Sequence, residues 1–168
     1  MVQFIASNST SMQPAIRALR VLSNLMNDQQ QEQDLFLKCL LEANVDGIIA
    51  FDREFRYTTW NRAMERISGV KREHVLGKYA FDLFPCLKET GEDKYYFEAL
   101  AGKSVVAENR PYRIAQSGHS GFFDGYYSPR HDETGEVVGG VAIIRDVTER
   151  KVVEASAIDD HKRLAFHV

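Results

Sequence analysis

The sequence has few of the residues that mark specialised classes of protein. Its 168 residues include only two cysteines, four prolines and one tryptophan. Cys39 and Cys86 belong to no CxxC pair or Cys/His array, which argues against a disulfide framework or a zinc site. This cysteine usage favours a reducing, cytoplasmic setting. Apolar runs fall short of the roughly 18 residues that span a bilayer, so we expect neither a membrane span nor a secretory signal.

A strong charge of either sign is also missing. The formal net charge is −3, and the basic residues are interleaved with acidic ones, which is typical of a solvated surface rather than of a nucleic-acid interface. Hydrophobic residues make up 44% of the chain and charged residues 27%. These proportions, with this length, predict one globular domain with flanking segments and no nucleic-acid partner.

The amino-terminal third favours a long helix. Residues 1–13 are polar and predicted to be frayed, and Pro14 suits a first helical turn. Residues 15–44 contain no Gly or Pro, and their apolar positions follow a heptad-like spacing interrupted by the polar segment 27–34. The pattern predicts one helix, or two with a weak middle. Its apolar stripe packs either on its own domain or on a second copy of the chain.

The remainder alternates between strand-like and helix-like segments. Strands are predicted at 48–52, 55–61, 104–114, 122–128 and 136–145, and helices at 62–68, 72–76, 81–84 and 92–101. Two strands, then several short helices, then three strands predict an α+β fold with a five-stranded antiparallel sheet.

The last predicted strand runs directly into a helix-compatible segment, 152–168. A helix start leaves unpaired backbone N–H groups, and side-chain oxygens of Asp146 and Thr148 are suited to cap them. Asp146 and Glu149 also have the spacing of a capping-box variant. We name residues 145–151 the joint. If the sheet senses a signal, the joint is where the signal leaves it.

Several short motifs occur in an order that resembles the PAS sensor-domain family over residues 36–151. The motifs are Asn44-x-x-Gly47-Ile48-Ile49-x-x-Asp52, Trp60-Asn61-Arg62-Ala63, Ile67-Ser68-Gly69 with Val75-Leu76-Gly77-Lys78, Leu83-Phe84-Pro85, Gly135-Glu136-Val137-Val138-Gly139, and Asp146-Val147-Thr148-Glu149-Arg150-Lys151. No single motif is specific, but their order is.

The resemblance implies a division into three segments. Residues 1–34 form a tail and amphipathic helix, 35–147 the PAS domain, and 148–168 a helix that leads to a downstream output domain. Residues 161–168 are similar to the helix segment 33–40 that opens the domain. We therefore expect the first module of a longer receptor of bacterial type, pairing as a homodimer through its flanking helices.

The resemblance also implies a ligand pocket inside the curved sheet and a signal relay at the joint. The predicted relay residues are Asp146, Thr148 and Arg150, and Arg150 is expected to form an ion pair with Asp146 or with the domain. The pocket candidates are Phe51, Trp60, Asn61, Phe81, Phe84, Tyr96, Tyr112, Phe123 and Tyr127, with Phe97 and Ile143 as further candidates. Arg110 or Arg113 is suited to pair with a carboxylate ligand.

Binding sites for the known PAS cofactors are recognisable from sequence motifs. A haem-binding module typically carries an axial His on the helix that precedes the third strand, and 92–101 contains none. The Asn-Cys-Arg-Phe motif of photoactive flavin modules is absent around Cys86, which we interpret as a small buried apolar residue. Both cofactors are therefore disfavoured. Non-covalent FAD and a colourless small molecule stay open, and no metal site is predicted.

Three functions are compatible with these features. The first is a signal-sensing module that binds a small ligand or partner and acts on a histidine kinase, nucleotide cyclase or similar output. The second is a ligand-free dimerisation module. The third is a small α+β cavity enzyme, for which His119, Ser120 and Asp124 have triad-like composition. We interpret those three as loop residues and predict no catalysis by this chain.

Overall fold

The computed structural model describes residues 8–165, with the side chains of residues 13 and 16–158. Its first element is a single helix, α1, from Asn8 to Ala43, so the alternative of one long helix is confirmed. The helix begins six residues before Pro14, so Pro14 does not lie in the first helical turn as predicted. The prediction of a frayed segment is therefore wrong for residues 8–13, and its first seven residues lie outside the described part.

The chain divides into two compact units, the first ending at Leu40 and the second beginning at Leu41. Within the first unit, α1 presents many large apolar side chains to solvent. They are Ile16, Leu19, Val21, Leu22, Leu25, Met26, Leu35, Phe36, Leu37 and Leu40. The boundaries that the sequence predicted at 34/35 and 147/148 stay predictions.

The second unit is built on one antiparallel sheet of five strands. The strands are β1 (Gly47–Asp52), β2 (Tyr57–Trp60), β3 (Val105–Arg113), β4 (Ser120–His131) and β5 (Val137–Asp146). Their order across the sheet is β2-β1-β5-β4-β3, and every pairing is antiparallel. The predicted α+β class and strand count are confirmed.

Six helices complete this unit. They are α2 (Arg62–Ser68), α3 (Arg72–Val75), α4 (Ala80–Leu83), α5 (Cys86–Glu89), α6 (Asp93–Leu100) and α7 (Thr148–Ala165). The sequence did not predict α5. The helix before Pro85 ends as predicted, since α4 stops at Leu83 and Phe84 is not helical. Pro85 itself has helical backbone angles and leads into α5. The predicted similarity of residues 161–168 to 33–40 lies partly outside the described residues.

Asn61 is the residue that joins the first strands to the short helices. Its side-chain oxygen accepts hydrogen bonds from the backbone N of Ile48, at 2.9 Å, and of Met64, at 3.1 Å. Its amide nitrogen donates to the backbone oxygens of Leu41 and Asp46, both at 3.0 Å. Asn61 therefore caps α2 and fixes β1 with all its hydrogen-bonding capacity, and α2 packs on β1 while α6 packs on β3, β4 and β5.

Candidate functional site

A cavity of about 90 Å³ lies between the sheet and the short helices. Its wall is mainly apolar and includes seven aromatic residues: Tyr57, Trp60, Phe84, Tyr96, Tyr112, Phe123 and Tyr127. Trp60 and Phe84 stack with an interplanar angle of 10° and a centroid distance of 5.7 Å. An apolar cavity of about 150 Å³ holds benzene, so this space suits a molecule of a few non-hydrogen atoms.

Six of the nine predicted pocket residues line this cavity: Trp60, Phe84, Tyr96, Tyr112, Phe123 and Tyr127. The structure does not bring the other three to its wall. Phe51 and Phe81 are buried, but their rings pack against Tyr96 at centroid distances of 4.6 and 5.5 Å and so belong to the surrounding core. Asn61 is occupied as the cap of α2.

The two further candidates lie outside the cavity as well. Phe97 is 51% exposed and Ile143 is 41% exposed. Side chains alternate between the two faces of a strand, and on β5 the neighbours of Ile143, Ala142 and Ile144, are the buried ones. Sequence pattern alone left the face of β5 undecided, because its residues are apolar on both sides.

Two buried tyrosines form a hydroxyl pair in the cavity wall. The hydroxyl oxygens of Tyr57 and Tyr96 lie 2.9 Å apart, and either can donate. Burial raises the pKa of Tyr57, and burial together with the neighbouring Tyr57 raises the pKa of Tyr96 well above its ordinary value. Both therefore stay neutral phenols near neutral pH, and the pair keeps one O–H that is not used between them.

A buried carboxylate, which the sequence did not predict, also lines the cavity. Glu92 is only 2% exposed. Its Oε1 accepts a hydrogen bond from Nε of Arg110, which comes from β3. Among the residues whose side chains the structure describes, no group donates to its Oε2. A charged residue ahead of a helix normally faces solvent, so nothing local in the sequence marked Glu92.

Arg110 has a different partner from the one its sequence context suggested. The sequence suggested Arg110 or Arg113 as a partner for a ligand carboxylate. In the structure Arg110 binds the chain's own Glu92, and its Nη2 donates to the backbone oxygen of Thr90 at 3.0 Å. The hydrogen bond to Glu92 raises the pKa of Arg110 further. Arg113 is exposed and lies on the cavity lining.

The joint is held to β4 and to the cavity wall. Oδ1 of Asp146 accepts from the backbone N of Thr148 at 2.8 Å, and Oδ2 accepts from the hydroxyl of Tyr112 at 3.3 Å. Oγ1 of Thr148 accepts from the backbone N of Phe122 at 2.9 Å. Asp146 thus caps the backbone N–H of Thr148, and not that of Glu149 as the capping-box spacing suggested. Tyr112 belongs to both the cavity wall and the joint.

Arg150 forms the predicted ion pair with the domain and not with Asp146. Its NH2 group donates to Oδ2 of Asp124 at 3.0 Å and to the side-chain oxygen of Asn109 at 3.1 Å. The backbone N of Asn109 donates to Oδ1 of Asp124 at 2.7 Å. This N–H, more than Arg150, lowers the pKa of the Asp124 carboxyl.

Asn109 lies in a β-bulge that connects the two regions. The pairing of β3 with β4 shifts between Ala107 and Arg110, and Asn109 has a left-handed backbone, with φ of 52°. Asn109 contacts the joint through Arg150, and the next residue, Arg110, contacts the cavity through Glu92. Two consecutive residues of one strand therefore meet the two candidate functional regions.

Residues 41–152, which contain the sheet, the cavity and the joint, match the family described as the PAS fold. The chain belongs to the PAS family. The sequence resemblance that predicted this family is confirmed.

Relatives of this PAS domain occur in two-component signalling proteins. The chain is 25% identical over 147 residues to two-component system protein A of Emericella nidulans and 26% identical over 149 residues to the histidine-protein kinase AtoS of Escherichia coli. These matches cover 84% and 88% of the chain, which spans about a fifth, 21%, of the length of either relative. They support a role in signal transduction.

Solved PAS domains share the fold. A PAS domain from Colwellia psychrerythraea has a TM-score of 0.56 and 21% identity, over 74% of this chain and 98% of that one. Along the described part of the sequence, no helix has the length and apolar character needed to cross a membrane.

The triad-like residues of this PAS domain take separate partners. Nδ1 of His119 lies 3.1 Å from the backbone oxygen of Ile67, while Asp124 is bound to Asn109 and Arg150. Cys86 is half-buried in the cavity wall, where burial raises the pKa of its thiol. PAS folds are typically non-catalytic, and these contacts lend no support to the cavity-enzyme hypothesis.

Proposed function

We propose that this PAS domain is a sensor that binds a small ligand in its cavity and relays binding through Asp146, Thr148 and Arg150 to α7. The observation that carries the proposal is Tyr112, whose ring lines the cavity and whose hydroxyl donates to Asp146 in the joint. The output is a downstream domain such as a histidine kinase or nucleotide cyclase, and the setting is cytoplasmic. A kinase output is supported by the relative that is named a histidine-protein kinase.

The relay needs a change at the cavity to reach the first turn of α7. A ligand that presses on the Tyr112 ring alters the hydrogen bond to Asp146, whose other oxygen holds the backbone N of Thr148. A second route runs along the bulge from Arg110 to Asn109 and Arg150. Both routes end within the first three residues of α7, where a small rotation is carried along the whole helix.

The cavity volume of about 90 Å³ favours a colourless small molecule over FAD, because a cavity of about 150 Å³ holds a single benzene ring and the flavin has three fused rings. Native mass spectrometry of the purified protein is expected to show a small additional mass that denaturing spectra lack. The absorption spectrum is expected to lack the visible bands of a haem or a flavin. Protein that carries no additional mass, purified from several expression conditions, would contradict ligand binding.

The relay is tested by hydrogen exchange at residues 148–154, comparing protein as purified with protein stripped of its ligand. Exchange is expected to differ between the two forms. Tyr112→Phe keeps the ring but removes the hydroxyl, and we expect it to abolish most of that difference. Tyr126→Phe is the matched control, because Tyr126 lies on β4 and is 46% exposed. An unchanged difference in Tyr112→Phe would exclude this route.

The apolar surface of α1 favours a second function, pairing with another copy of the chain. Leu19, Leu22 and Met26 are exposed at helical spacing, and such a stripe is stabilised when another helix covers it. Light scattering at several protein concentrations, with and without residues 1–34, tests this. A dimer that dissociates on truncation is expected, and a monomer in both forms would exclude it.

A further inference from the structure

The cavity contains one polar group whose hydrogen bonding is incomplete. Glu92 lines a mainly apolar wall that also includes Ser68, Thr90 and Arg113, and one of its oxygens has no partner among the described side chains. Leaving such an acceptor unpaired in a buried place costs free energy, more so when it carries charge. The site is therefore short of one hydrogen-bond donor.

Arg110 does not supply that donor in the observed arrangement. Its Nε donates to Oε1 of Glu92 and its Nη2 donates to the backbone oxygen of Thr90. The pair places a guanidinium charge beside the buried carboxyl group. The hydroxyls of Tyr57 and Tyr96 are bonded to each other, and the one O–H left over is a donor, not an acceptor. Among the described residues, Oε2 is thus the buried acceptor that a donor on an incoming molecule can meet.

We propose that the cavity selects a small, mostly apolar ligand that donates one N–H or O–H hydrogen bond to Oε2 of Glu92. This inference rests on the proposed ligand-binding function and names the chemical class of the ligand. A body the size of a small ring fits the volume of about 90 Å³ and contacts the stacked rings of Trp60 and Phe84. Repulsion from Glu92 disfavours a carboxylate or phosphate group next to Oε2, and Arg110 is already paired with Glu92. Arg113, the other arginine suited to such a group, lies elsewhere on the lining.

The test compares two rings of the same size that differ in one donor. Pyrrole carries an N–H, and furan has an oxygen in its place. Each is titrated into the complete chain, stripped of copurified ligand and labelled with ¹⁵N, while the amide signals of residues 92, 96 and 127 are followed. Because a hydrogen bond to a charged acceptor is among the stronger ones, pyrrole is expected to bind at least about tenfold more tightly than furan.

Glu92→Gln links the preference to the carboxylate. The glutamine oxygen keeps the bond from Arg110, and its amide nitrogen replaces Oε2 by a donor, so pyrrole should lose its advantage over furan. Glu89→Gln is the matched control, because Glu89 is exposed on α5, and it should keep the preference. Circular dichroism checks that each variant is folded. The comparison of pyrrole with furan in the unmodified chain does not depend on either variant.

Each outcome decides something different. Equal binding of pyrrole and furan overturns the donor proposal but leaves ligand binding intact. If folded Glu92→Gln still binds pyrrole more tightly than furan, the N–H of pyrrole donates to another acceptor, and the donor proposal is overturned as well. If neither pyrrole nor furan shifts the amide signals of the cavity residues, the proposal is overturned. An ordered water on Oε2 that neither ring displaces would give this result. The proposed ligand-binding function is tested separately, by the copurified mass in the native mass spectrum.

Discussion

The cavity lies among fully buried aromatic rings, whereas the joint is built from side chains that water reaches. Glu92 is almost completely buried, and one of its oxygens has no hydrogen-bond partner in the described part of the chain. Asp146, Thr148 and Arg150 are more accessible, and each is held by partners from β3 or β4. Buried apolar contacts contribute most of the stability of a domain, and exposed ion pairs contribute little. The difference indicates that the cavity wall supports folding, while the joint fixes the orientation of α7.

The largest effect is expected in the cavity wall. Trp60→Ala removes the ring that stacks on Phe84 and the Nε1–H that donates to the backbone oxygen of Val70 at 3.2 Å. We expect the free energy of unfolding to fall by about 3–5 kcal/mol, as for other large aromatic truncations. Urea denaturation measures it. Tyr126→Ala, on the exposed side of β4, should cost less than about 1 kcal/mol, and equal losses would contradict the comparison.

An intermediate effect is expected where the joint meets β4. A Cβ at Gly121 would lie 2.1 Å from Oγ1 of Thr148 and 3.1 Å from the Tyr112 hydroxyl. Gly121→Ala therefore displaces one of them, at a cost of roughly 1–3 kcal/mol, and hydrogen exchange at the start of α7 should accelerate. Adding Thr148→Ala removes the obstructing oxygen and should restore part of the loss. A double variant no better than the single one would show that Thr148 is not the obstacle.

The smallest effect is expected at the Asp124–Arg150 ion pair. The pKa of Asp124 is below its ordinary value near 4, so its contribution to stability is complete above that value and is lost as the pH falls through the lower folded pKa. Asp124→Asn should cost about 0.2–1 kcal/mol at pH 7 and nothing in strong acid.

Urea titrations at a series of pH values measure that difference. Arg150→Ala is the companion variant, and it should lose less than Asp124→Asn, because the backbone N–H of Asn109 is the larger cause of the pKa shift. A loss that is the same at pH 7 and in acid would indicate packing instead of charge.

Local pattern predicted most of the fold. Glycines and prolines between β-branched segments separated the elements, and α2 falls at its predicted residues 62–68 because Asn61 and Gly69 are good start and stop signals. The aromatic cavity wall could also be predicted in large part, since Trp60, Tyr96 and Tyr127 are large and β4 alternates cleanly between its faces.

The polar chemistry of the cavity could not be predicted in the same way. Glu92 and Arg110 are 18 residues apart, and their pairing depends on where α6 meets β3. No local pattern records such a contact. The bulge beside Arg110 involves Asn109 in a left-handed conformation, which an asparagine tolerates but does not require.

The bulge in β3 has a consequence for how this domain can change over evolutionary time. Glu108 and Asn109 together face Asp124 on β4, so β3 carries one residue more than its partner strand at this point. Deleting Asn109 would leave Arg110 opposite Phe123 and on its present face, because Ala107 and Arg110 would then be two positions apart. The deletion would, however, remove the side-chain oxygen that accepts from Arg150. A length change in β3 can therefore alter the attachment of α7 while the pairing of Arg110 with Glu92 is kept, and lineages are expected to vary the first more freely than the second.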